Sequence, residues 1–299
     1  MTGFSLKMLA LITMIIDHIG ATFSSVAGTR SLRIIGRLAF PIYAFLISEG
    51  CRHTRNFKKY LLRLFIFAFI SEIPFNFLFR NIERLAYGGE FKPVIFGAHN
   101  VFFTLFLGAF SVYVLEALKK HLPGPKYMIY LISYIFASFA GFFIANGLGT
   151  DYGAWGVLMI FFTYVSREET NDKILSIITP IYMSVLYCMY YAYAGEILPL
   201  IILSVVFTIS YIGPELFNLP KIEKYRAYIV IAFYINAIYG GIYHLSTLFI
   251  AALASLLFIS KYNGQEGKKA TYLFYAAYPL HIIILGVIWY FFIFKSNGI

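Results

Sequence analysis

The chain has 299 residues, 60% hydrophobic, 20% aromatic and only 13% charged, a balance that excludes an ordinary soluble domain and describes a polytopic membrane protein. Its formal net charge of +10 falls in short loops, the pattern of a membrane-orientation signal, so no nucleic-acid partner is expected. Two cysteines, Cys51 and Cys188, are too few for a disulfide framework. The histidines show neither HExxH nor Cys/His ligand spacing, so no metal is expected.

Apolar runs of about 20 residues, enough to cross a bilayer core, repeat from residue 6 to residue 294. The predicted fold is all-α: one integral-membrane domain over residues 1–299, a transmembrane helical bundle of ten or eleven spans with a polar cavity near mid-membrane. The spans are placed near 6–26, 32–50, 60–79, 99–118, 127–146, 151–166, 174–193, 196–213, 227–241, 244–260 and 271–294. The break at Tyr239-Gly240-Gly241 is the weakest, which leaves ten as the alternative count. No small-residue cleavage pattern follows the first run, so it reads as a retained span and not a signal peptide.

The first span carries Asp17-His18 where the helix reaches mid-bilayer, and an ionisable residue at that depth marks a functional site by default. Adjacent helix residues point about 100° apart, so Asp17 does not orient His18 in the manner of a catalytic triad and needs another partner. Arg37 in the second span is the candidate, in a pair that is either structural or functional. Glu49 at the end of that span reads as solvated. Glu72 in the third lies deeper and requires a cation, a polar cavity or a proton of its own. Between these spans, Arg52, Arg55, Lys58, Lys59 and Arg63 form the densest basic run. It reads first as a topology signal with anionic-lipid contact, and more sharply as a seat for the phosphates of a cytosolic acyl-CoA.

His99-Asn100 opens the fourth span and Asp151-Tyr152-Gly153 the sixth, both from the outer side. They read as helix caps, compatible with a second role at an outward-facing mouth. Pro41, Pro74, Pro180, Pro199 and Pro279 are expected to interrupt helix hydrogen bonding. His281 in the last span lies at a depth similar to His18. Two imidazoles at one level suggest one site suited to proton transfer, the alternative being two core histidines bonded to carbonyls.

If the loop 51–59 is cytoplasmic, strict alternation places 17 of the 24 Lys and Arg residues on that side, including Lys7, Arg63, the loops 119–126, 167–173 and 214–226, and Lys261 to Lys269. The N-terminus is then cytoplasmic and the C-terminus outside, in a multi-pass protein of the cell membrane.

The chain resembles the TraX family of membrane proteins, itself similar to the wider group of multi-span membrane acyltransferases. The resembling blocks run along nearly the whole chain: Leu6-Lys7 through Asp17-His18-Ile19-Gly20, Gly36-Arg37-Leu38-Ala39-Phe40-Pro41, Arg52-His53 with Lys59-Tyr60-Leu61-Leu62-Arg63, Asn100-Val101-Phe102-Phe103-Thr104, Asp151-Tyr152-Gly153-Ala154-Trp155-Gly156, and Phe274-Tyr275 with Tyr278-Pro279-Leu280-His281. The family takes its name from a member that acetylates the N-terminal amine of pilin. The resemblance therefore implies acetyl transfer from cytosolic acetyl-CoA to an amine or hydroxyl of an extracytoplasmic acceptor, a pilin-like peptide N-terminus or an envelope glycan. It also implies His18 as the match to the first-helix histidine of the acyltransferases. His18 would act as general base or carry the acetyl group covalently, Arg37, Asn100 and Tyr152 would polarise or position reactants, and Asp17 would hold geometry through Arg37. Asp151 and Glu72 join Asn100 and Tyr152 as acceptor-binding candidates. Two other classes fit the residues: a proton-coupled transporter relaying through Asp17, His18, Glu72 and His281, and an assembly protein whose polar residues serve packing. The oligomeric state is not readable from the sequence.

Overall fold

The computed structural model describes residues 1–24, 28–93, 99–169, 172–191, 197–219, 221–240 and 246–295, and these form helices with no strand among them. In chain order they are α1 (Gly3–Thr22), α2 (Arg30–Gly36), α3 (Ala39–His53), α4 (Phe57–Phe75), α5 (Asn81–Ala86), α6 (Val101–His121), α7 (Lys126–Phe139), α8 (Gly153–Glu168), α9 (Lys173–Tyr191), α10 (Ile197–Leu216), α11 (Ile222–Ile235), α12 (Thr247–Leu253), α13 (Ser255–Ile259) and α14 (Thr271–Trp289). Wider π turns continue α4, α7, α11 and α14, at Asn76–Arg80, Ala140–Ala145, Asn236–Gly240 and Tyr290–Phe294.

Eight helical stretches among the described residues are long and apolar enough to cross a membrane. The remaining three predicted spans form shorter helices. The stretch 151–166 becomes α8, of 16 residues. The stretch 227–241 becomes most of α11 with its π turn, and 244–260 becomes α12 and α13. Gly241 of the expected break lies outside the described residues. The predicted second span is interrupted at Arg37-Leu38, which divides α2 from α3.

The core is built around α8, whose residues Ala154 to Ser166 are all buried. A helix apolar on every side belongs inside the protein. It packs against α3, α6 and α11. Small residues allow the approach: a side chain at Gly108 of α6 would meet Ile160, and one at Gly156 would meet Thr104 and Phe40. On the periphery, Ile177, Ile181, Ile201 and Ile209 of α9 and α10 are exposed, as suits a surface facing lipid.

Of the five prolines expected to interrupt helices, Pro41 and Pro199 fall in the first turns of α3 and α10. Amides there have no intrahelical partner to lose. Pro74, Pro180 and Pro279 lie inside their helices, as does Pro214.

Charged loops converge on one end of the bundle. Arg167 pairs with Glu49 and bonds Glu223 at 2.7 Å, while Arg52 lies 3.2 Å from Glu223 and Lys119 3.1 Å from Glu168. The Gly3 amide donates to Gln265 at 2.7 Å, tying the start of the chain to the loop before α14. Glu49, read as solvated, is instead only 4% exposed, because Arg167 and His53 close over it. The opposite end carries α5 and the pairing of His99 with Thr150.

Candidate functional site

The structure brings His18 of α1 against His281 of α14, 263 positions later, with Nδ1 of the first 2.6 Å from Nε2 of the second. The rings lie nearly parallel, 16° apart. Nδ1 of His281 is 2.7 Å from the Ala277 carbonyl, one turn back on the same helix. A carbonyl only accepts, so this nitrogen carries the hydrogen. In the neutral ring Nε2 is then an acceptor, and His18 donates to it from Nδ1. The tautomers follow from the bonding partners, and Nε2 of His18 is left with a lone pair. Phe79 and Tyr278 box the His18 ring edge-on, at 5.0 and 5.8 Å between centroids.

Asp17 points elsewhere, into the seam between α1 and α2. Its carboxylate accepts from Arg33 at 3.0 Å and lies 3.7 Å from Arg37. Arg33 is a partner the sequence reading missed, although it sits four residues before Arg37 and therefore on the same helix face. Gly36 makes the seam possible, since a Cβ there would overlap the Asp17 side chain. The Arg37 guanidinium also stands over the Tyr239 ring at 5.6 Å. Tyr152 meets Tyr239 edge-on and stacks on Phe40 at 3.6 Å.

Asp151 does not cap α8. The chain enters that helix through left-handed Tyr152 and Gly153, with φ of 65° and 45°. Asn146 takes the capping position instead, accepting from the Ala154 amide at 2.8 Å. The Asp151 amide donates to the His99 carbonyl at 2.9 Å, and its carbonyl accepts from Thr104.

Asn100 does cap α6, accepting from the Phe102 amide at 3.0 Å, and its amide group reaches back to Glu72 at 2.7 Å. Glu72 also accepts from Asn76 and bonds His99, each at 2.7 Å. The buried carboxylate is thus met by an imidazole and two amides. His99 is its principal partner, which the sequence reading treated only as part of a helix opening. Asn100, Glu72 and His99 gather where α4 meets the start of α6, whereas Asp17, Arg37 and Tyr152 surround the α1–α2 seam.

A cavity of about 450 Å³ opens at the charged end and runs between α1, α3, α4, α6 and α14. Lys7, Arg63, Glu49, His53 and Glu266 line its polar part, and Met14, Leu46, Leu64, Phe102 and Phe274 its apolar part. On α1 the lining extends from Gly3 to Met14, roughly 17 Å at the helical rise of 1.5 Å per residue. It ends one turn before His18 and at Tyr278, whose ring touches both imidazoles. His18 and His281 stand behind that wall.

The basic run does not form one seat. Arg63 alone of the five lines the cavity, its guanidinium over Tyr60 at 5.9 Å and Tyr275 at 6.0 Å. Arg52 is engaged by Glu168 and Glu223. Arg55, in the loop before α4, and Lys58 and Lys59, in its first turn, are exposed and do not line the cavity. Lys7, on the first turns of α1, supplies the second cation that the sequence reading had assigned only to topology.

A helical membrane bundle with a partly buried imidazole pair at the head of a cation-lined cavity defines a multi-pass membrane protein with a polar interior site. The family model described as TraX protein matches residues 3–235, and the chain belongs to the TraX family. A similar protein is the probable fimbrial assembly protein FimC, serogroup H1, of Dichelobacter nodosus, 27% identical over 176 residues. That match covers 58% of this chain and 64% of the relative, so the chain spans less than two thirds of the relative's length. No solved structure matches.

Proposed function

We propose that this protein is a membrane-embedded acetyltransferase, moving an acetyl group from acetyl-CoA on the cytoplasmic side to an amine or hydroxyl of an extracytoplasmic acceptor. The observation that carries the reading is the directed pair His18–His281, which leaves His18 Nε2 with a lone pair beside the closed end of the cavity. The excess of Lys and Arg at the cavity mouth supports a cytoplasmic assignment for that end and for the N-terminus. Lys7 and Arg63 line the cavity and would meet donor phosphates, and the apolar stretch beyond them suits an uncharged thioester arm. The acceptor is a pilin-like peptide N-terminus, consistent with the fimbrial name of the relative, or an envelope glycan.

In this reading the acceptor nitrogen or oxygen attacks the thioester carbonyl, its proton passes to His18 Nε2, and the C–S bond breaks to release CoA. The resulting imidazolium is stabilised through its Nδ1–H bond to His281, the role a carboxylate plays in a triad. Asp17 serves instead to hold α2 against α1 through Arg33 and Arg37.

The test is CoA release and acceptor labelling by the purified protein in nanodiscs, given labelled acetyl-CoA and a panel of amine-terminated peptides and glycans. Wild type is expected to release CoA and label an acceptor. His18→Ala is expected to fall to background with its melting transition retained. A folded wild type that consumes no acetyl-CoA across the panel overturns the reading, and substrate movement without acetyl-CoA consumption would establish the transporter instead.

A further inference from the structure

Among the described residues, several buried hydroxyls have no hydrogen-bond partner, and of these Tyr278 is the one that lines the cavity. Its side chain is locked in place: the residue is 3% exposed, and its ring meets His18 at 5.8 Å, His281 at 5.6 Å and Phe102 at 5.2 Å. A buried hydroxyl without a partner is costly and uncommon, so one left open at the wall of a cavity points to a ligand. The Val101 amide faces the hydroxyl oxygen, which leaves the O–H hydrogen without an acceptor. That amide begins the 21-residue α6. The first amides of a helix carry its partial positive charge. Val101 also lines the cavity. The tyrosine O–H is therefore the free donor where the cavity ends, beside the imidazole pair.

We infer that Tyr278 is a catalytic residue, its hydroxyl donating to the oxygen that becomes negative when the thioester carbonyl is attacked. The inference rests on the acetyl-transfer reading. As the acceptor's N–C bond forms, the carbonyl π pair moves onto oxygen and the acceptor proton goes to His18 Nε2. When the pair returns, the C–S bond breaks and its electrons leave with the CoA sulfur. Tyr278 keeps its proton throughout and contributes a hydrogen bond that strengthens as charge develops, which accelerates the step without tightening donor binding.

Tyr278→Phe removes one oxygen and leaves the packing. With the full-length protein in nanodiscs, acetyl-CoA as donor and a synthetic peptide with a free N-terminal amine as acceptor, kcat is expected to fall about 10²- to 10³-fold. The KM for acetyl-CoA is expected to stay within about twofold, because the interaction is made only in the transition state. A folded Tyr278→Phe with wild-type kcat, beside an inactive His18→Ala, overturns this assignment and leaves the acetyl-transfer reading standing. Absence of CoA release by the wild type removes both. If Tyr278→Phe does not fold, Tyr278 is replaced by 3-fluorotyrosine, which keeps the ring and makes the hydroxyl a stronger donor. A kcat that changes at constant KM then supports the assignment, and an unchanged kcat overturns it.

Discussion

Asp17 and His18 are neighbours in sequence that serve different parts of the molecule, because one step along a helix turns the side chain by about 100°. His18 reaches α14, and Asp17 reaches the two arginines of α2. That Asp17 needs a partner other than His18 is legible from the spacing alone, and so is Arg37 as a candidate. Arg33 is not singled out by position, since the break at Arg37-Leu38 decides which arginine comes nearer. The seam depends on Gly36, where any side chain would overlap Asp17. Gly36→Ala is expected to destabilise the protein by about 1–3 kcal/mol, the usual effect of overpacking. Thermal unfolding in detergent measures it, and an unchanged melting temperature would show that α2 can shift freely.

Elements repeat the lesson at longer range. Asn100 sits immediately before α6 and caps it, as a local rule expects. Asp151 satisfies the same rule two residues before α8 and does not cap, because the backbone turns left-handed at Tyr152 and Gly153. Asn146, eight residues before the amide it binds, takes the role, and no local spacing announces such a partner. Asn146→Ala is therefore expected to cost about 0.5–2 kcal/mol as a lost cap, while Asp151→Asn leaves the start of α8 intact. Melting temperatures of the two variants, compared with wild type, separate these outcomes. α8 itself was legible as an apolar run, but its place at the centre follows from the helices that surround it.

For the molecule as a whole, the charge pattern carries more information than any single motif. The loops grouped by alternation do meet at one end, stitched by Arg167, Arg52 and Lys119 to Glu49, Glu223 and Glu168. Which end faces the cytoplasm is a matter of insertion. In a cysteine-free background, Lys58→Cys is expected to react with a membrane-impermeant maleimide only after the cells are permeabilised. Tyr87→Cys, at an exposed position beside α5 at the opposite end, is expected to react in intact cells. The reverse pattern would invert the orientation and place the cavity mouth outside, where cytosolic acetyl-CoA does not reach it.

Hydropathy determined, without any fold, that the chain is a helical membrane protein, because the transfer free energy of an apolar run is a sum over its own residues. The same local sums exposed the expensive polar positions, Asp17, His18, Arg37, Glu72 and His281. Tertiary structure decided their partners and which cations reach the cavity. Arg63 lines it and Lys58 does not, though they are five residues apart, and Lys7 joins from another helix. His18 meets His281, and Glu72 meets His99. Those outcomes depend on the rotation of each helix about its axis, the break before α3 and the helices packed around α8, none of which is encoded in a local sum.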